Sequence, residues 1–164
     1  GARRVQSRLV ACARHVGYPT GRSAAGSDTE GITSIMDSMT LLGQDKWLGG
    51  SLGGDGNIYG VPGTARTVLR IVPETGEVST IGGPLEGKFK WLRGVPARNG
   101  AIYCIPAWAD TVLKIVPATG EVVQLGGPFP GKWKWHGGAI AHDGCIYGIP
   151  CNAERILKIS PDTD

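Results

Sequence analysis

A short phrase, Ile-Tyr-x-x-Pro, occurs three times in this chain and constrains its fold more than any other feature. The phrase starts at residues 58, 102 and 146, so the spacing between copies is 44 residues both times. Without a gap, residues 46–89 match residues 90–133 at 24 of 44 positions, and residues 90–120 match residues 134–164 at 15 of 31. A repeat of this period indicates that one supersecondary unit is stacked several times along the chain.

Each unit contains four short segments that alternate between apolar and polar residues, as β-strands do. Tight turns are predicted between them, because Asp55-Gly56 and Pro73-Glu74-Thr75-Gly76 are turn signals. Four strands in about 40–45 residues are typical of one β-propeller blade. In the first complete unit the predicted strands are Gly49–Leu52, Asn57–Val61, Thr67–Val72 and Glu77–Ile81.

The repeat therefore predicts an all-β fold made of β-propeller blades, each a four-stranded antiparallel sheet. Helical repeats are excluded by the content of Gly, Pro and β-branched residues, and a β-helix would have a shorter coil. The rings of Tyr59, Tyr103 and Tyr147 are predicted to pack between neighbouring sheets. The predicted organisation is a non-repeat segment (1–30), a degenerate half blade (31–45), two whole blades (46–89 and 90–133) and a truncated blade (134–164).

The number of blades is lower than the four to eight of a closed propeller. Three interpretations follow from this. The chain is a fragment of a larger propeller, or it closes as an irregular four-bladed ring in which residues 1–30 supply missing strands, or it assembles with a second copy. Because an open arc exposes sheet edges, self-association through these edges is a predicted interaction.

Charge, hydropathy and cysteine usage exclude several classes of protein. The net charge of +3 comes from interspersed charges, so no nucleic-acid partner is predicted. No apolar run approaches the roughly 20 residues of a membrane span, so no membrane association is predicted either. The first residue is Gly1 and no signal-peptide core follows, as expected for a processed product or a fragment. Without a Cys-x-x-Cys motif, free thiols are predicted for Cys12, Cys104, Cys145 and Cys151.

The third unit carries the motifs that are most specific for a family. It reads Gly-Ala-Ile-Ala from residue 138, Asp-Gly-Cys-Ile-Tyr from residue 143 and Arg-Ile-Leu-Lys-Ile-Ser-Pro from residue 155. This sequence resembles the blade of NHL and streptogramin-lyase-like propellers, which reads Gly-Ile-Ala, Asp-Gly-x-Ile-Tyr and Arg-Ile-x-x-Ile-x-Pro. The resemblance covers residues 46–164 and, more faintly, 31–45. It implies the propeller fold and leaves the activity open, because these superfamilies include lyases, lactonases and non-catalytic binding modules.

A lysine and a tryptophan stand together before the predicted first strand of every unit. Loops that lead into the innermost strands of a propeller surround one mouth of its channel, where lysines attract anions and tryptophan faces stack on sugars. The structural alternative is that each tryptophan packs between blades while each lysine keeps its charged head in water. The ligand-binding residues predicted here are Lys46, Trp47, Lys90, Trp91, Lys134, Trp135 and His136. The predicted partner is a small anionic or sugar-like ligand or a protein.

His136 breaks the repeat at this rim, since Leu48 and Leu92 occupy the same position in the other units. Streptogramin-type lyases use histidine chemistry on a propeller face with a bound metal, so the resemblance implies a general-base role for His136. The predicted inner strands carry no acid, and no metal site or cofactor is predicted. We therefore expect a non-catalytic module that binds a ligand or a protein partner. The alternative is part of a lyase or lactonase-like enzyme whose catalytic residues lie mostly outside this chain.

Overall fold

The computed structural model describes residues 35–36 and 39–163, and its strands form three antiparallel sheets. The first sheet consists of β1 (Trp47–Leu52), β2 (Ile58–Pro62), β3 (Val68–Val72) and β4 (Glu77–Ile81). The second consists of β5 (Trp91–Pro96), β6 (Ile102–Pro106), β7 (Val112–Val116) and β8 (Glu121–Leu125). The third consists of β9 (Trp135–Ile140), β10 (Ile146–Pro150) and β11 (Leu157–Ile159). No helix in this part of the chain is long and apolar enough to cross a membrane.

Short turns and loops join consecutive strands, so each sheet is an antiparallel meander with its strands in chain order. Between β1 and β2, Gly56 has φ +82°, a left-handed conformation that glycine adopts without strain. Between β3 and β4, the Gly76 amide donates to the Val72 carbonyl at 2.8 Å. These are the turns that the Asp-Gly and Pro-x-Thr-Gly signals predict. The prediction of β-propeller blades is confirmed, with four strands in two sheets and three in the last.

The first strand of each sheet begins earlier than predicted. Trp47 pairs with Pro62 and Gly49 pairs with Val61, so Leu48 is an extra residue in a β-bulge. The same bulge recurs in the other two sheets. The three tryptophans of the Lys-Trp pairs are therefore the first residues of β1, β5 and β9, and their placement on the preceding loops was wrong.

The sheets pack face to face, and the interface between the first two recurs between the second and third. In the first interface, Tyr59 of the first sheet is buried in a cluster with Ile102 and Leu113 of the second. In the second interface, Tyr103 lies in a cluster with Ile146 of the third sheet. The prediction that these tyrosines pack between sheets is confirmed for Tyr59 and Tyr103, whereas Tyr147 is only half-buried.

The strands β1, β5 and β9 lie next to one another along the inner side of the stack. The Ser51 hydroxyl of β1 donates to the Gly94 carbonyl of β5 at 2.7 Å. A Cβ atom at Gly49 would lie only 2.4 Å from the Leu92 carbonyl oxygen, so this approach requires glycine. These three strands, which were predicted to be the innermost of each sheet, are therefore where neighbouring sheets approach each other closely.

Several predictions concern residues at the margins of the described chain. The segment 1–30, with Cys12, lies outside the described residues. Residues 39–46 form no strand, although the sequence of 39–43 mimics a fourth strand of the repeat. Cys104, Cys145 and Cys151 are free thiols, as predicted. Burial raises the pKa of the Cys104 thiol, so this side chain acts as a small apolar group of the core.

Candidate functional site

Lys90 is buried rather than presented to solvent, with 3% of its surface exposed. Its ammonium group donates to the carbonyl oxygens of Gly63 and Ala65, both at 2.9 Å, and of Gly87 at 3.1 Å. Three acceptors thus receive the three N–H groups of one ammonium. Since Gly63 and Ala65 belong to the β2–β3 loop of the preceding sheet, Lys90 ties the first two sheets together.

Lys134 repeats this arrangement between the second and third sheets. It is 4% exposed, and its ammonium group donates to the carbonyls of Ala107 at 3.0 Å and Gly131 at 2.9 Å. Burial lowers the pKa of Lys134, while the nearby Asp110 carboxylate acts in the opposite direction. Lys46 makes the corresponding local bond to Gly43 at 2.9 Å, at an exposed position. The ligand-binding role of the three lysines stays a prediction. Lys90 and Lys134 make structural contacts, but their ammonium groups are buried against carbonyls and are not kept in water as the structural alternative expected.

The three tryptophans that follow these lysines are fixed by a repeated hydrogen bond. Each indole N–H donates to the carbonyl at the start of the third strand of its own unit, which holds the ring against the sheet. Trp91 and Trp135 are also buried in the two interfaces between sheets. The bonds are Trp47 to Thr67 at 2.8 Å, Trp91 to Thr111 at 2.7 Å and Trp135 to Arg155 at 2.8 Å.

A second set of aromatic side chains meets at the same rim, and we call it the rim cluster: Phe89, Trp108, Lys132, Trp133 and His136. The Phe89 ring centroid lies 5.2 Å from that of Trp108, edge to face, and 5.3 Å from that of Trp133. The Trp108 and Trp133 centroids are 5.7 Å apart, with the ring planes at 86°. These three rings are half-buried and therefore offer part of their surface to solvent.

Two rings of the cluster are carried by a backbone conformation that bulky residues avoid. Phe89 has φ +47° and Trp133 has φ +53°. A left-handed conformation costs about 1–2 kcal/mol for such residues. It is held by loop hydrogen bonds, because the Trp108 amide donates to the Phe89 carbonyl at 3.1 Å and the Asn152 amide donates to that of Trp133 at 2.9 Å.

Trp108 and Lys132 give the rim cluster its polar character. The indole N–H of Trp108 is buried and has no hydrogen-bond partner within the described chain. The ammonium nitrogen of Lys132 lies 4.4 Å from the centroid of the Trp108 ring, which is the distance of a cation–π contact. Lys132 itself is exposed, so its charge is available at the rim.

His136 is the predicted site residue that lies in the rim cluster. It is the extra residue in the bulge of β9 and is exposed, and its ring lies 6.2 Å from that of Trp133. A bulge can turn a side chain away from the sheet, and here it turns His136 to the rim. Among residues 39–163, no three His, Cys, Asp or Glu side chains are grouped as metal ligands would be.

The predicted ligand-binding residues do not include Phe89, Trp108 and Trp133, although Phe89 and Trp133 directly precede the Lys-Trp pairs of the predicted rim and Trp108 lies in a loop that differs between units. A signal for them was present, because Asp45, Phe89 and Trp133 occupy one repeat position while the Lys-Trp pair after it never changes. Large rings at a variable position beside a constant pair are expected where function is added to a scaffold. The sequence did not reveal that Trp108, about 20 residues after Phe89, packs against Phe89 and Trp133.

Comparison with known proteins relates this geometry to a fold. No protein-family model and no curated protein matches the sequence. Selenomethionine-substituted virginiamycin B lyase from Staphylococcus aureus is similar in structure, with a TM-score of 0.61, 17% identity, and coverage of 75% of this chain and 41% of that one. A streptogramin B lyase has a TM-score of 0.57 at 20% identity, with coverage of 70% and 37%. An auxiliary nutrient binding protein from Bacteroides ovatus has a TM-score of 0.56 at 15% identity, with coverage of 77% and 31%.

These similarities show the fold of the chain. It is a partial β-propeller of the kind found in streptogramin B lyases, as the sequence resemblance implies. The chain spans about two fifths of the length of the lyase structures and about a third of the length of the binding protein. Because the matched proteins include both lyases and a nutrient binding protein, the fold does not select one function.

Proposed function

We propose that this chain is a non-catalytic β-propeller module whose rim cluster binds a small, sugar-like ligand that carries an anionic group. The observation that carries the proposal is the meeting of three half-buried rings, Phe89, Trp108 and Trp133, from three separate loops. The apolar face of a sugar ring stacks on such surfaces, and rigid aromatic side chains lose little conformational entropy when they bind.

The strained backbone supports a binding role for these rings. A residue held in a sparsely populated conformation persists only where the surrounding structure enforces it, and such residues cluster at functional sites. At the equivalent position the first unit has Asp45, which tolerates φ +48° more readily than an aromatic residue does. Phe89 and Trp133 thus occupy a position where an aromatic side chain is unfavourable for stability, which is consistent with selection for contact with a ligand.

The preference for an anionic group rests on Lys132. Its ammonium group lies over Trp108 at 4.4 Å and is exposed, so it can approach a carboxylate at the edge of the stacked ring. The Debye length is about 10 Å at 0.1 M salt, so this attraction weakens as salt is added, whereas stacking does not. The His136 ring beside Trp133 offers a further hydrogen-bonding group at the same edge.

A titration with galactose and galacturonic acid, followed by tryptophan fluorescence and saturation-transfer NMR, tests the proposal. We expect the acid to bind more tightly at low salt and the difference to disappear at high salt. Trp133→Ala should abolish binding of both sugars, and Lys132→Gln should remove only the preference for the acid. Lys46→Gln, which neutralises a lysine outside the cluster, is the matched control. Neither sugar binding at tens of millimolar, or equal binding by Trp133→Ala, would contradict the proposal.

A lyase-type activity is the second candidate, and the exposure of His136 at the bulge of β9 favours it. Histidine is the side chain most often used as a general base near neutral pH. The test is to incubate the chain with a streptogramin B lactone and to look for the linear product by mass spectrometry. A linear product that the parent chain forms and the His136→Ala variant does not would support an enzyme. If the parent chain forms no linear product, only the binding function remains proposed.

A further inference from the structure

We propose that the third sheet binds the first sheet of a second copy of this chain, through the same face-to-face contact that joins the sheets within one copy. We call the face of a sheet that is turned towards the next sheet in sequence order its outward face. The face that is turned towards the preceding sheet is its inward face. The proposal concerns the outward face of the third sheet and the inward face of the first. It is independent of the rim cluster.

The outward faces of the first two sheets carry the same three apolar positions. In both sheets these side chains are buried against the next sheet. They are Tyr59, Val61 and Val68 in the first sheet and Tyr103, Ile105 and Val112 in the second. Burial of this set is therefore the repeated element of the contact between sheets.

The third sheet carries the same set without a covering sheet among the described residues. Tyr147 is half-buried, Ile149 is 58% exposed and Ile156 is 65% exposed. Two large aliphatic side chains and one tyrosine thus form an exposed apolar patch, of the kind that marks interaction sites.

The inward face of the first sheet carries side chains that can pack against this patch. On the inward faces of the later sheets, Ile102 and Leu113 of the second and Ile146 of the third are buried. At the equivalent positions of the first sheet, Ile58 is 38% exposed and Leu69 is half-buried. Both residues are identical to their counterparts in the second sheet, so the same contact can form.

The polar group on the outward face of the third sheet matches that of the first sheet. The Tyr147 hydroxyl donates to Asp143 and the Tyr59 hydroxyl donates to Asp55, both at 2.8 Å, whereas Tyr103 donates to the carbonyl of Pro161 in the next sheet. The third sheet thus presents the Tyr-Asp pair that the first sheet presents to the second. Because the inward face of the first sheet has the same Ile and Leu as that of the second, we infer that the first sheet of a second copy is the occupant.

The contact is heterologous, because two different faces meet and the complex of two copies keeps one free face of each kind. Such contacts produce rings if the rotation closes and open chains if it does not. A heterologous contact can be distinguished from a two-fold dimer by mixing two variants, each defective in one of the two faces. A variant that is defective only in its outward face should still bind one that is defective only in its inward face.

Analytical ultracentrifugation of the 164-residue chain over a wide concentration range tests the proposal. We expect species of at least twice the monomer mass at high concentration. Ile156→Glu and Ile58→Glu should each be monomeric, and an equimolar mixture of the two should form a one-to-one complex and nothing larger. Ile140→Glu is the matched control, since this position of β9 is exposed, as are its counterparts Leu52 and Pro96. Circular dichroism should show that all variants are folded.

Three results would overturn the proposal. The first is a parent chain that remains monomeric at every concentration. The second is association that persists in Ile156→Glu, or is lost equally in Ile140→Glu. The third is a mixture of the two face variants that remains monomeric, which would exclude a heterologous contact.

Discussion

At the scale of single residues, the repeated lysines of the rim act through backbone carbonyls. An ammonium group that leaves water must be compensated, and Lys90 meets this requirement with three carbonyl acceptors from two sheets. Burial lowers the pKa of Lys90, while the Glu86 carboxylate acts in the opposite direction. The same bonds provide loop carbonyls of the preceding sheet with a donor, so the charge and the loop stabilise each other.

Replacement of Lys90 by Met should reveal this role. The variant keeps the aliphatic stem and leaves the carbonyls of Gly63, Ala65 and Gly87 without the ammonium donor. We expect the free energy of unfolding to fall by about 1–3 kcal/mol, as for buried polar groups left unpaired. Lys46→Met, which removes a single exposed bond, should change it by no more than about 0.5 kcal/mol. Urea unfolding measures both, and equal effects would mean that Lys90 is no more than a surface lysine.

Acid sensitivity should arise in part from Asp55. Burial alone would raise the pKa of this carboxyl, but hydrogen bonds from the Tyr59 hydroxyl at 2.8 Å and from Asn57 outweigh burial and lower it. Because the folded-state pKa lies below the ordinary value of 3.8, the ionised group contributes stability above pH 3.8 that is lost as the pH falls through the folded-state value. The window of this effect is therefore below pH 3.8.

Asp55→Asn should remove that contribution without loss of the turn. The second unit already has Asn99 at the equivalent position, where it bonds to the Tyr103 hydroxyl and accepts from the Ala101 amide. Denaturant unfolding at several pH values should show the difference between parent and variant shrinking below pH 3.8. A difference that stays constant from pH 6 to pH 2 would mean that the carboxylate is not linked to folding.

At the scale of strands and sheets, much of the structure follows from the repeat because its signals are local. Alternation and turn residues locate the second to fourth strands to within one residue, as Glu77–Ile81 illustrates. The start of the first strand was missed because Trp47 pairs across a bulge, which simple alternation does not encode. For the rim, the period places Lys90 and Lys134 at equivalent positions but does not state which way a side chain points. That direction depends on carbonyl groups contributed by a neighbouring sheet.

The central sheet offers a direct test of packing between elements. Tyr103 of β6 is fully buried between the second and third sheets. Tyr103→Ala should cost about 3–5 kcal/mol in the free energy of unfolding, as expected for a large buried aromatic side chain. Tyr147→Ala, the same change in β10 on the uncovered face, should cost much less. Thermal and urea unfolding compare the two, and similar losses would show that the third sheet is covered in solution.

At the scale of the whole molecule, stacked units give stability that depends on position. Each sheet contacts only its neighbours in the stack, so stability is close to a sum of unit and interface contributions. The second sheet is covered on both faces, whereas each flanking sheet is covered on one face by the described residues. The flanking sheets should therefore open at a lower free energy than the central sheet.

Native-state hydrogen exchange checks this gradient at a concentration where copies do not associate. The amides of β6 and β7 should exchange most slowly, through global unfolding, because Ile102, Leu113 and Ile115 are fully buried there. Amides of β10 and β11 should exchange through a smaller opening that leaves the first two sheets intact. Raising the protein concentration should then slow exchange in β10 and β2 together, because those two strands carry the two faces of the proposed contact. Equal protection of all three sheets in the monomer would instead show that the stack unfolds as one cooperative unit.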